Sequence, residues 1–167
     1  MAFWRLFYRL IWATKEREPL ITSNLEAELY GYLTGKADFL GSIAYAIGGV
    51  EDHVHMVVSV PPKLAIADFV RHLKGSSAHH MNHLPGAPGN FGWQRGYGVI
   101  SLGQRQLRRA IEYVHNQKEH HRQGTTIAAL ERVDVEDEGP KPGDRIPRLR
   151  AEADLGRLDR LRIKFAG

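Results

Sequence analysis

The chain has 167 residues, of which 43% are hydrophobic, so it is long enough to bury the core of one domain. It contains no cysteine, which excludes a disulfide framework and thiolate chemistry. No apolar run approaches the roughly 18 residues of a membrane span, so no membrane partner is expected. The absence of cysteine fits a reducing cytoplasm. The net charge is +4, and all of that excess lies in residues 1–130, which carry 14 basic and 10 acidic residues. Such a charge is compatible with binding to nucleic acid.

Periodicity, capping residues and turn residues predict alternating strands and helices along the first 122 residues. The predicted elements are a strand over 3–14, a helix from Ser23 or Asn24 to about Lys36, a strand over 39–47, a turn over 48–52, a strand over 53–60, a helix over 66–83, a Pro/Gly loop over 84–96, a strand over 97–102 and a helix over 104–122. In the first strand, Leu10 and Trp12 fall on one face and Arg5 and Arg9 on the other.

The order βαββαβ followed by a helix predicts an α+β fold, a ferredoxin-like (RRM-like) antiparallel sheet with an added C-terminal helix. The first and third strands should be central and helices should cover one face. The other face, which small nucleic-acid-binding domains use for their ligand, should be free. We place this domain at residues 1–123. Residues 124–167 are predicted to be an acidic Pro/Gly linker, centred on 136–143, and a charged tail in which 149–165 forms an amphipathic helix or stays unattached.

Two histidines stand one residue apart in the third predicted strand. His53 and His55 share the less apolar face, opposite Val54, Met56 and Val58. Neighbouring side chains on one face of a strand can converge on one ion, and imidazole suits Mn²⁺, Zn²⁺ or Co²⁺ better than Mg²⁺. Taken alone, the pattern fits two ordinary surface histidines equally well.

The last predicted helix carries Tyr113 and Gln117 one turn apart, on a flank beside its apolar stripe. Phenol is a poor nucleophile at neutral pH because its pKa is about 10. A metal ion on a phosphodiester can offset this handicap by neutralising charge in the transition state, which would allow tyrosine to attack phosphorus. The alternative is a tyrosine that only fills the edge of the core.

Taken together, these stretches resemble the single-tyrosine HUH transposases of small bacterial insertion sequences and the REP-associated tyrosine transposases. The resemblance covers about residues 8–123. The segments that carry it are Trp12-Ala13-Thr14-Lys15, Glu51-Asp52-His53-Val54-His55, Leu73-Lys74-Gly75-Ser76-Ser77, Phe91-Gly92-Trp93-Gln94-Arg95-Gly96-Tyr97 and the helix from Tyr113 to His121.

The resemblance implies a role for each matching residue. His53, His55 and Gln117 would hold Mg²⁺ or Mn²⁺, and Tyr113 would be the nucleophile that takes the 5′ phosphate of cleaved single-stranded DNA. The implied partner is single-stranded DNA with hairpin ends, in a bacterial, nucleoid-associated setting. Many relatives are homodimers that share their sites, whereas REP-associated members can act as monomers. The charged tail replaces the longer aromatic segment that such relatives often carry.

Five basic residues are candidates for contact with DNA phosphates: Arg5, Arg9, Arg71, Lys74 and Arg95. Trp93 and Tyr97 are candidates for stacking on bases or for anchoring their loop. Two functions compete with transposition. One is a related HUH nickase of the replication-initiator or relaxase type, although those proteins are usually larger. The other is a non-catalytic nucleic-acid binder, which would need neither the histidine pair nor Tyr113 and Gln117.

Overall fold

The computed structural model describes residues 3–133 and residue 139. Four strands form one antiparallel sheet in the order β2-β3-β1-β4, which confirms the ferredoxin-like prediction with β1 and β3 in the centre. The elements are β1 (Phe7–Ala13), α1 (Ser23–Phe39), β2 (Ile43–Val50), β3 (His53–Ser59), α2 (Ile66–Asn82), β4 (Gly98–Leu102), α3 (Leu107–His115) and α4 (Gln117–Gln123).

The main hydrophobic core lies between one face of the sheet and the helices α1 and α2. Alternate residues of the central strands point into it, so the period of two in their sequences sets which side chains are dry. The buried members include Leu10 and Trp12 from β1, Met56 from β3 and Phe69 from α2, all with no measurable exposure. This face therefore holds most of the apolar area that stabilises the domain.

The opposite face of the sheet is partly covered by α3. A small apolar cluster joins Ala46 and Val57 of the sheet to Ala110 and Val114 of the helix. Gly48 lies under the end of α3, and a Cβ on it would come within 2.3 Å of the backbone oxygen of Val114. A glycine at this position therefore lets the helix backbone lie directly on the sheet. The sequence predicted that this face would be free, but the C-terminal helix packs against it.

The main differences from the sequence prediction concern β2, β1 and the last helix. β2 begins and ends later than predicted, because Gly48 and Gly49 pair with β3 and only Glu51 and Asp52 form the turn. β1 begins at Phe7 rather than at residue 3. The predicted helix over 104–122 is broken at Asn116, where the side-chain amide and the backbone N–H both donate to the backbone oxygen of Glu112.

The described chain continues past residue 123, where the sequence prediction placed the domain boundary. Contacts within the chain separate residues 1–136 from residues 137–167. The predicted tail helix over 149–165, and the predicted linker apart from Gly139, lie outside the described residues. Among the helices that the structure describes, none combines the length and apolar character needed to cross a membrane.

Candidate metal and tyrosine site

The two histidines of β3 lie at the start of the strand, on the face that α3 covers. His53 is 2% exposed and His55 is fully buried, and their rings meet edge to face with centroids 5.0 Å apart. The alternation of β3 places both imidazoles opposite the main core, as the sequence predicted. Two buried imidazoles that share a face meet the first requirement of a metal site.

His53 is oriented from behind by a carboxylate. Its Nδ1 lies 2.6 Å from Asp52 Oδ1, and Arg17 binds the other oxygen of Asp52 at 3.2 Å. Burial lowers the pKa of His53, but the carboxylates of Asp52 and Glu131 outweigh burial and the net pKa is raised. The remaining nitrogen, Nε2, points into the site and makes no well-directed hydrogen bond. A carboxylate behind a histidine with its second nitrogen free is the usual support of a metal ligand.

His55 is held differently, by a guanidinium. Arg9 Nη2 lies 2.8 Å from His55 Nδ1, and a guanidinium can only donate, so the ring carries its proton on Nε2. That nitrogen donates to Glu131 Oε2 at 3.0 Å. Burial, together with the nearby charge of Arg9, lowers the pKa of His55 to about 4. His55 is therefore neutral at pH 7, and a metal on Nε2 requires its proton to leave that atom.

The tyrosine and the glutamine of the broken helix reach the same point. The hydroxyl of Tyr113 donates to Glu131 Oε1 at 2.7 Å and accepts from the backbone N–H of Ile127 at 3.1 Å. Burial and the neighbouring Glu131 raise the pKa of Tyr113, so the resting site opposes its ionisation. Gln117 Nε2 lies 3.3 Å from Glu131 Oε1, while its own Oε1 is buried without a hydrogen bond.

Glu131 lies at the centre of the site, and the sequence prediction missed it by placing it beyond the domain. It belongs to residues 127–132, which we call the strap and which cross the α3 face of the sheet. Arg9 Nη1 donates to the backbone oxygen of Leu130 at 2.6 Å, beside the carboxylate. Burial raises the pKa of Glu131, but the close approach of the two histidine rings outweighs burial and holds that pKa far below its usual range. The apolar run 127–130 ahead of the acidic stretch was the available sequence signal.

The donor atoms suit a divalent metal. One ligand atom each from His53, His55 and Glu131 lie within 4.8 Å of one another. Two imidazoles with a carboxylate form a set known to bind divalent transition metals, and the unpartnered oxygen of Gln117 adds a fourth donor. His53 Nε2 and Gln117 Oε1 are buried polar atoms without a hydrogen-bond partner, as is typical of atoms that bind an ion or a water molecule. The residues present therefore fit a metal ion.

The candidate phosphate contacts fall into two groups. Arg5, Arg71 and Arg95 are exposed. Arg9 is buried in the site and contacts His55 and the face of Tyr113. Lys74 donates to the backbone oxygens of Gln94 and Gly96, at 2.7 and 2.8 Å, and so braces the loop before β4.

The two aromatic candidates of this loop contact the main core. Trp93 donates to Ser77 Oγ at 3.0 Å and packs edge to face against Trp12 and Phe91. Tyr97 is half-buried at the margin of the same core. Loop anchoring is therefore the observed role of Trp93.

A ferredoxin-like sheet with a histidine pair on a central strand, facing a tyrosine of the helix after the last strand, defines a nucleic-acid-processing class of domain. Comparison with known proteins gives the family. The sequence profile of the family described as "Transposase IS200 like" matches residues 2–117. The chain belongs to this family of DNA transposases.

Relatives of known sequence and structure agree. The chain is 30% identical over 122 residues to the ISDra2 transposase TnpA of Deinococcus radiodurans, a match that covers 68% of the chain and 85% of the relative. It is 22% identical over 136 residues to the transposase of the insertion sequence IS200 from Salmonella typhimurium, covering 75% of the chain and 85% of the relative.

Two solved structures share the fold. A crystal structure described as a transposase of Deinococcus radiodurans matches with a TM-score of 0.54 and 30% identity, over 70% of this chain and 93% of that one. A REP-associated tyrosine transposase, solved bound to a REP hairpin, matches with a TM-score of 0.54 and 13% identity, over 75% of this chain and 76% of that one. At 13% identity the second likeness concerns the fold alone.

Proposed function

We propose that this transposase cleaves and rejoins single-stranded DNA through a 5′-phosphotyrosine intermediate, with assistance from Mg²⁺ or Mn²⁺. One observation carries the proposal. The hydroxyl of Tyr113 and the Nε2 atoms of His53 and His55 all lie within 3.3 Å of the two oxygens of a single carboxylate, that of Glu131. A phosphodiester and a metal ion would need these same donors around one point.

The residues divide the chemistry between them. The oxygen of Tyr113 attacks phosphorus and its hydroxyl proton is released. The bond from phosphorus to the 3′ oxygen breaks, and that oxygen takes up a proton to leave as a free 3′ hydroxyl, so one proton is lost and one is gained. The phosphotyrosine ester keeps the bond energy, so a second strand's hydroxyl can rejoin without a nucleotide cofactor. A divalent metal held by His53, His55 and Gln117 would neutralise charge on the phosphate. Help of this kind is needed because the surroundings of Tyr113 raise its pKa.

The proposed substrate is single-stranded DNA with hairpin ends. Arg5 and Arg95 are exposed and can approach phosphates, and Arg71 is exposed in an ion pair with Asp68 that a phosphate could replace. The REP hairpin bound by one structural neighbour supports a folded DNA partner. The tyrosine and the histidines meet within one chain, which supports a site formed in cis. A homodimer is compatible with this arrangement. A protein that binds DNA in this way would also associate with the nucleoid.

Covalent capture tests the proposal. The protein is incubated with labelled single-stranded hairpin DNA and Mn²⁺ or Mg²⁺, with EDTA as the metal-free control, and resolved on a denaturing gel. We expect a metal-dependent protein–DNA adduct that disappears in Tyr113→Phe. Tyr32→Phe, at a half-buried tyrosine of α1 that stacks on His80 outside the site, is the matched control and should form the adduct normally. An adduct that persists in Tyr113→Phe would reject this nucleophile, and hairpin binding without any adduct would indicate a non-catalytic binder.

A further inference from the structure

We infer that Glu131 is itself a protein ligand of the metal, so that the ion fastens the strap to the sheet. The inference rests on the proposed function for the presence of a metal, and goes beyond the His53, His55 and Gln117 set that the family resemblance implies. It adds a carboxylate from a segment beyond the matched residues 2–117. Three independent features of the structure support it.

The first feature is the spacing of the donor atoms. Ligand atoms about 2.1 Å from one ion lie roughly 3.0–3.4 Å from each other, whether the arrangement is octahedral or tetrahedral. Glu131 Oε2 lies 3.0 Å from His55 Nε2 and 3.3 Å from His53 Nε2. Only the His55 contact is a well-directed hydrogen bond, because His53 Nε2 remains without one. An ion bound here would give His53 Nε2 the partner it lacks, at the spacings that Glu131 Oε2 already has to both histidine nitrogens.

The second feature is the chemistry of the set. Two imidazoles and one carboxylate on one side of an ion leave its other positions open, as a substrate phosphate would need. Two imidazoles alone favour Zn²⁺, Mn²⁺ or Co²⁺, whereas a carboxylate oxygen shifts preference toward harder ions such as Mn²⁺. The negative charge of Glu131 also offsets part of the ion's charge in a buried site, which already holds the guanidinium of Arg9.

The third feature is that the sheet is shaped to seat the strap. A Cβ on Gly98 would lie 2.4 Å from the backbone oxygen of Arg132 and 2.7 Å from Ile11 Cγ2, so the strap backbone needs a glycine beneath it. On the other side of Glu131, Arg9 holds the oxygen of Leu130 and Tyr113 accepts from the N–H of Ile127. The backbone is thus fixed before and after Glu131, which aims its carboxylate at the histidines.

Titration with Mn²⁺, followed by the electron paramagnetic resonance signal of the free ion, tests the inference without measuring activity. We expect Glu131→Gln to weaken Mn²⁺ binding about 10- to 100-fold. Glu131→Asp, which keeps the carboxylate on a shorter arm, should retain part of the affinity. Glu112→Gln on the exposed side of α3 is the matched control and should bind as the unaltered protein does.

Hydrogen exchange gives a second readout on the same proteins. Mn²⁺ should slow amide exchange across residues 127–132 in the unaltered protein but not in Glu131→Gln. Unchanged Mn²⁺ affinity in Glu131→Gln, with binding lost in His53→Ala, would overturn the inference and leave the histidine site standing. No Mn²⁺ binding by the unaltered protein would overturn it as well. Neither result tests the role of the tyrosine, because covalent adduct formation and its loss in Tyr113→Phe are scored separately.

Discussion

The two faces of the sheet differ in the side chains that they bury, although the same strands form both: one face buries apolar side chains and the other mainly polar ones. The face under α1 and α2 is a dry apolar core to which β1 and β3 contribute Leu10, Trp12 and Met56. The face under α3 has only a small apolar cluster, and beside it Arg9, His53, His55 and Gln117 are buried with polar atoms. Three of these polar atoms, Arg9 Nε, His53 Nε2 and Gln117 Oε1, have no hydrogen-bond partner.

The core face therefore supplies most of the stability, and the site face supplies the groups for binding and reaction. The site face buries charged and polar side chains where the core face buries apolar ones, so it contributes less to stability than the core face does. Because side chains alternate across a strand, neighbouring residues of β3 serve different faces: one packs in the core and the next lines the site. Substitutions on the core face should therefore change mainly the free energy of unfolding, and those on the site face mainly binding.

The largest expected effect comes from the core face. Leu10→Ala should lower the free energy of unfolding by about 2–5 kcal/mol, because the fully buried side chain leaves a cavity. Gln117→Met on the site face should change it by less than about 1 kcal/mol, since the loss of one long hydrogen bond to Glu131 is offset by removal of an unpartnered oxygen. Urea unfolding followed by circular dichroism compares the two. Equal losses in both variants would contradict the division between the faces.

Gly48→Ala tests whether α3 must pack closely against the sheet. The added Cβ would meet the backbone oxygen of Val114 at 2.3 Å, so the helix must lift from the sheet at a cost of about 1–3 kcal/mol. Because Tyr113 adjoins Val114, we also expect a lower yield of the covalent DNA adduct. Gly35→Ala is the control: its Cβ would meet nothing within 4 Å, and alanine should stabilise α1 by up to about 1 kcal/mol. Normal stability and adduct yield in Gly48→Ala would show that α3 does not need this close approach.

Arg9→Gln tests the state of His55. The guanidinium holds the His55 proton on Nε2, whereas a glutamine carbonyl can accept a proton on Nδ1 and leave Nε2 free for a metal. We expect Mn²⁺ binding to tighten by about 3- to 10-fold, helped by the loss of one nearby positive charge. The paramagnetic titration measures it, with Arg71→Gln on the exposed face of α2 as the control. Weaker binding in Arg9→Gln would mean that the guanidinium supports the ligand rather than competing with it.

The smallest expected effect concerns Lys74, which the sequence assigned to phosphate. Its two hydrogen bonds to loop carbonyls favour a bracing role, so Lys74→Ala should lower the free energy of unfolding by about 1 kcal/mol. The salt dependence of DNA binding decides between the roles. A lost phosphate contact would reduce the slope of log K against log salt by about 0.7 for a single strand, whereas a brace leaves it unchanged.

Periodicity and local motifs were sufficient to predict the sheet order and which face of β3 carries the histidines. They placed Tyr113 and Gln117 on one helical segment, and the structure brings both to the histidine pair. These features depend on neighbours within a few residues, where alternation and helical pitch act directly.

The misses arose where distant contacts decide the structure. Gly48 and Gly49 have the composition of a turn, yet the backbone of α3, more than 60 residues later, lies against β2 at Gly48 and keeps it in the strand. Glu131 lies ahead of an acidic stretch that is typical of a linker, and only the contacts of Arg9 and Gly98 with its neighbours reveal its position. Single-sequence patterns contain no signal for such close approaches.

The distance along the chain between the groups of the site has a consequence for its synthesis. Arg9 contacts Leu130 across 121 residues, and His55 contacts Glu131 across 76. Contacts this remote close late in folding, since the loops between them must be ordered first. At a ribosomal rate of about 5–20 residues per second, His55 waits for seconds before Glu131 exists. A nascent chain therefore carries an incomplete site until almost the whole domain has been made.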